Sequence, residues 1–183
     1  MSLYDSAIKY AMKILNHEPN YSLDRLRKIS EMAYVVAKRY IDDINSSKKN
    51  VQTVINTGLI RNINISFITA QANGWNLING AIKNVNLNAF LKGAHVIATS
   101  EEEYCNKLAP YIRGLTRLNL EINQIKLKMD SADAELSRLA KANDYEAFKT
   151  KLKETESLQS ELSNLRKQRF DLIKEFLERN NIR

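Results

Sequence analysis

Two prolines and five glycines in 183 residues leave little material for turns, which excludes a loop-rich or all-β chain. One cysteine, Cys105, excludes an internal disulfide framework. No stretch of about 18 residues is apolar and free of charge, so no ordinary transmembrane helix is expected. Asp5, Lys9 and Lys13 interrupt the first 17 residues, so no signal peptide is read there and a cytoplasmic location is the default expectation.

Chemistry-bearing patterns are equally scarce. The glycines at 58, 74, 80, 93 and 114 are isolated, so no phosphate-cradling loop exists. His17 and His95 are the only histidines and lack metal-ligand spacing. His95 with Cys105 would need an orienting group and an oxyanion site, and neither is suggested nearby. Asp130 and Asp133 share a helix face, but in mid-arm rather than at a tip that could enter another enzyme. The expectation is a non-enzyme with no catalytic, metal or cofactor site and no small-molecule substrate.

The most localised absence is negative charge. From Ile44 to Ser100 there is no carboxylate, only Lys48, Lys49, Arg61, Lys83 and Lys92, and nine of the chain's twenty asparagines fall between 51 and 100. Residues 1–100 carry 12 basic and 6 acidic groups, whereas 101–183 carry 16 and 15. The net +7 therefore reflects missing acids in one segment, not dense Lys and Arg. The abrupt change at Ser100/Glu101 suggests an N-terminal helical bundle over 1–99, with the acid-free apolar segment 44–100, and a second region over 100–183.

What is present is helical periodicity. Tyr4, Ala7, Ile8, Ala11 and Leu15 predict a helix over about 3–17, closed by Pro19. Ser22 suits the N-cap of a second helix with the stripe Leu26, Ile29, Ala33, Val36 or Ala37, Tyr40 and Ile44. Val51, Ile55, Leu59, Ile63, Phe67 and Ala70 form a further stripe, although 62–67 also alternates as a strand would; the long run without proline favours helix. A break at Asn73-Gly74, a helix over about 75–92 and a stop near Gly93 follow. Ser100-Glu101-Glu102-Glu103 reads as a capping box and a new helix start. Pro110 is expected to kink that helix or to open another.

The strongest pattern is Leu115, Leu118, Ile122, Ile125, Met129, Ala132, Leu136 and Leu139, stepping alternately by three and four. A turn near 142–145, with Asn143 as the new N-cap, precedes a return stripe of Phe148, Leu152, Thr155, Leu158, Leu162, Leu165, Arg169, Leu172 and Phe176. The short step from Thr155 to Leu158 would overwind the pair locally. Folding at 143 sets Met129 against Leu158, Ile125 against Leu162 and Leu118 against Arg169. The expected fold is all-α: a helical bundle continuing into a long antiparallel coiled-coil hairpin. Arg169 either specifies register or lays its stem along the seam with its head in water.

Three functions fit. The first is a non-enzymatic interaction or assembly protein whose hairpin oligomerises or docks a protein partner. Its seam would use Leu118, Ile122, Ile125, Met129, Leu136, Leu158, Leu162, Leu165 and Arg169. The second is a membrane-active helical protein of the pore-forming or translocator type, using segment 44–100 with Trp75, Ile78, Ile82 and Phe90 as contacts. The third is non-specific, salt-sensitive nucleic-acid binding through Arg25, Lys28, Arg39, Lys48 and Lys49.

Overall fold

The computed structural model describes residues 3–55 and 60–180. They form α1 (Leu3–Leu15), α2 (Leu23–Ile29), α3 (Glu31–Val54), α4 (Arg61–Asn84), α5 (Leu87–Leu108), α6 (Leu115–Ala142) and α7 (Tyr145–Asn180). No strand occurs among these residues, so the ambiguity at 60–70 resolves to helix. Leu59 of the expected stripe lies outside the described residues. Two compact units divide near residue 108, later than the change in composition at Ser100.

In the first unit, α3 packs mainly on α1 and α2. Ala7, Ile8, Ala11 and Met12 of α1 share a core with Leu26 of α2 and with Ala33, Val36, Ala37, Ile41 and Ile44 of α3. Ile78 and Ala81 of α4 and Phe90 and Ile97 of α5 complete that core.

The second helix read from the sequence is in fact two. Ser30 ends α2 by donating its N–H to Leu26 O and begins α3 by accepting from Ala33 N through Oγ at 3.2 Å. This double cap sits inside the apolar stripe and leaves its phase almost undisturbed. The consequence falls on Ile29, which was expected inside and is 75% exposed. The expected cap of α2 is present: Ser22 Oγ accepts from Arg25 N at 3.2 Å.

Three expected boundaries do not exist. α4 runs through Asn73-Gly74, and α5 runs through both Gly93 and Ser100. Gly74 and Gly93 are packing glycines instead: a Cβ on Gly93 would lie 2.9 Å from Gly74 O, and one on Gly74 would lie 2.6 Å from Ile97 Cγ1. Ser100 Oγ serves no helix start; it donates to Ile97 O at 2.8 Å and accepts from Gln71 Nε2 at 2.6 Å. Pro110 neither kinks nor opens a helix, because it lies in the turn between α5 and α6.

The real break in this region is at Val85-Asn86. Val85 has φ +49, a left-handed conformation unfavourable for a β-branched residue, and Asn86 Oδ1 caps α5 by accepting from Ala89 N at 3.2 Å. Val85 is 38% exposed, so little packing is lost by replacing it. Val85→Asn, with a side chain that tolerates this conformation, is expected to stabilise the protein by about 1 kcal/mol. Thermal unfolding followed by circular dichroism should show the midpoint about 2–4 °C higher.

In the second unit, all eight residues of the α6 stripe are buried. Ile122, Ile125 and Met129 form one apolar cluster with Leu162, flanked by Leu158 and Leu165, so α6 and α7 pair as an antiparallel hairpin in the expected register. Asn143, at φ +56, ends α6 with its N–H on Ala140 O, and Asp144 N reaches back to Leu139 O at 3.2 Å. The N-cap of α7 is Asp144, not Asn143: its Oδ1 accepts from Ala147 N at 3.3 Å. Late in α7 the buried positions are Phe170, Ile173 and Leu177, while Leu172 and Phe176 are half-buried.

Candidate interaction surfaces

The hairpin seam brings most of its expected residues together. Leu118, Ile122, Ile125, Met129, Leu136 and Leu162 are buried, and Leu158 and Leu165 are partly buried against the central cluster. Arg169 does not reach water; it is fully buried, and its Nη1 donates to Asn119 Oδ1 at 3.1 Å. Asn119 lies beside the stripe rather than in it, so heptad reading alone missed it. Thr155, also fully buried, satisfies its hydroxyl on Lys151 O at 3.0 Å within α7.

The outer side of α6 is different. Leu120 and Leu127 are 60% and 69% exposed and stand seven residues apart, away from the seam. Charges of both signs surround them, including the Arg117–Glu121 pair at 3.2 Å. In the sequence they stand out only as two leucines out of phase with the seam; that they stay exposed is set by the tertiary structure.

In the first unit, the expected membrane contacts are mostly inside. Ile78 and Phe90 are buried in the core, and Trp75 and Ile82 are half-buried against it. Trp75 Nε1 donates to Gln71 Oε1 at 3.1 Å, and Lys48 Nζ lies 5.3 Å from the Trp75 ring centroid. Gln71 itself is fully buried and binds both Ile97 O and Ser100 Oγ on α5. A second buried hydrogen bond joins the same helices: Tyr104 donates its hydroxyl to Asn64 Oδ1 at 2.8 Å while its ring meets Phe67 edge-on. Burial pushes the Tyr104 hydroxyl well above the usual tyrosine range, which suits a neutral donor rather than a proton carrier.

The expected cations do not gather on one face. Arg25 and Lys28 are on α2, and Arg39 is nine residues from Lys48 on α3, about half a turn round the helix. Intramolecular partners occupy several of the neighbouring cations. Arg25 Nη1 bonds Asn20 O at 3.1 Å, Arg27 lies over the Tyr34 ring, and Lys38 pairs with Asp42. That last pairing raises the Lys38 pKa through its hydrogen bond to Asp42. Lys48 and Lys49 are exposed.

No family of proteins, curated protein or solved structure matches this chain. Its surfaces therefore carry the functional argument alone. Among the described residues no group of three His, Cys, Asp or Glu side chains could hold a metal ion, and none of the helices is long and apolar enough to cross a membrane. A shallow groove lined by Ser66, Phe67, Ser100, Glu103, Tyr104 and Lys107 has room for about one water molecule.

Proposed function

We propose that this is a non-enzymatic assembly protein whose hairpin, read as an antiparallel coiled coil, associates with a second copy through the outer face of α6. The observation that carries this reading is the exposed pair Leu120 and Leu127, on a hairpin whose own seam is already filled. An antiparallel pairing of two α6 helices centred between Asn123 and Gln124 sets each Leu120 against the other copy's Leu127. The surrounding face mixes Arg117, Glu121, Lys128 and Asp130, and a surface of the same mixed charge meets it without net repulsion. Such a patch is small against the roughly 1,200 Å² or more of a stable interface, so the association is concentration-dependent.

The test is light scattering across a dilution series with the double variant Leu120→Lys/Leu127→Lys. The wild type should rise above its 21.0 kDa chain mass as concentration increases, and the variant should stay at it with unchanged helicity. A wild type that remains at the chain mass at millimolar concentration would overturn the reading.

A further inference from the structure

α4 and α5 are joined by Val85 and Asn86 alone, and neither is a glycine or a proline. Val85 holds φ +49 and ψ +47, where a β-branched side chain crowds the backbone, so the reversal is strained. The buried residues of α4 are Asn64, Phe67, Gln71, Gly74, Ile78 and Ala81, stepping by three, four, three, four and three. The next step of four lands on Val85. The sequence thus carries the buried stripe of α4 into the hinge, yet the reversal leaves Val85 38% exposed.

Strain in a short connection favours exchange of an element between copies, because opening relieves the strain and the other contacts are remade with the second copy. What α5 supplies to the first unit is of that transferable kind. It brings Phe90 and Ile97 to the core, Gly93 to Gly74, Ser100 to Gln71, and Tyr104 to Asn64 and Phe67. The closed hinge itself adds only the left-handed Val85, the bond from Asn86 N to Ala81 O and the cap that Asn86 Oδ1 gives Ala89 N. With Val85 and Asn86 helical, the last carbonyls of α4 would pair with the first N–H groups of α5, which a reversal keeps apart.

We propose that two copies of this chain exchange α5 by straightening at Val85–Asn86, so that α4 and α5 join as one helix from Arg61 to Leu108, about 70 Å long. Each α4 then packs on the other copy's α5 through the contacts of the closed chain. Val85 passes from the outside to the face turned toward the second copy. The buried stripe of α5, Phe90, Gly93, Ile97, Ser100 and Tyr104, resumes one residue late after Val85, so the joined helices cross there. The interface is a protein core rather than a surface patch, and forming it requires that core to open. The exchanged dimer therefore forms slowly and outlasts dilution. The outer face of α6 takes no part, so the exchange stands or falls apart from the association proposed above.

The test uses the full chain with Leu120→Lys/Leu127→Lys, in which the α6 face cannot supply a dimer. The protein is warmed to the foot of its thermal transition at millimolar concentration, cooled and diluted, and its mass is read by size-exclusion light scattering. A dimer of twice the 21.0 kDa chain mass, persisting for hours, is expected. Val85→Asn eases the closed hinge, and asparagine nearly matches valine in helix propensity, so the open form is unchanged. With two hinges per dimer, the dimerisation constant should fall about 30-fold. Asn86→Ala removes the cap of the closed form and favours helix, so it should raise that constant about tenfold or more. Ser66→Cys/Glu103→Cys, at two exposed positions lining one groove, reports the exchange directly, because Cys105 is buried and does not compete. A short bis-maleimide should bridge them within one chain in the monomer and between chains in the dimer, as resolved on a denaturing gel. Absence of a dimer overturns the proposal, and so does a dimer whose bridges all lie within single chains. A dimer equally abundant with Val85→Asn overturns Val85 as the hinge.

Discussion

Ile122→Asp is expected to melt the helical hairpin, with a loss of about 4 kcal/mol or more. Ile122 is fully buried in the cluster it forms with Ile125, Met129 and Leu162. The substitution removes most of the apolar side chain, leaves a cavity and places a carboxylate where none of the clustered side chains can donate a hydrogen bond. Leu120→Asp is the control: it sits two residues away on the same helix, is 60% exposed, and should cost no more than about 0.5 kcal/mol. Urea unfolding followed by circular dichroism compares the two. Limited proteolysis of Ile122→Asp should cut within 108–179 and spare the first unit. Equal stability of the two variants would mean that Ile122 does not face α7.

The second large effect concerns two glycines in adjoining helices that look alike in sequence. Gly93→Val should destabilise by about 3 kcal/mol. Its Cβ would lie 2.9 Å from Gly74 O and 2.9 Å from Ile78 Cγ1, and a backbone oxygen inside a helix cannot rotate aside. The gain in helix propensity over glycine is smaller than that overlap. Gly80→Ala should do the reverse: nothing lies within 4 Å of its added Cβ, and its position inside α4 makes the change stabilising by about 1 kcal/mol. Thermal unfolding of the two variants should therefore move in opposite directions. Stabilisation by both would show that α4 and α5 do not cross at Gly74 and Gly93.

Those glycines also explain where sequence reading failed. Asn73-Gly74 and Gly93 carry the composition of helix breaks, and Ser100-Glu101-Glu102-Glu103 carries that of a helix start, yet all lie inside helices. Each pattern is local, and each has a second use that depends on a distant partner. The glycines admit the backbone of the facing helix, and Ser100 Oγ accepts from Gln71, 29 residues earlier. Ser30 shows the opposite error, a real break hidden because its two caps preserve the phase of the stripe. Val85, with no glycine or proline to announce it, ends α4 in a conformation that composition would not select.

The hairpin was legible because its determinants are regular and close in sequence. Eight α6 residues at alternating steps of three and four define one face without ambiguity, and Asn143-Asp144 marks the reversal, which leaves one register for α7. The candidate surfaces were less legible. Burial of Ile78 and Phe90 and the enclosure of Arg169 beside Asn119 depend on which helices lie next to one another. By itself the sequence determined an all-helical chain, the hairpin's seam and turn, and an acid-free segment bounded by Ile44 and Ser100, because periodicity and composition act over a few turns of helix. Only the tertiary structure decided that Gly74 meets Gly93, that Gln71 reaches Ser100 and that Leu120 and Leu127 remain outside, because a contact between helices is a property of two segments together.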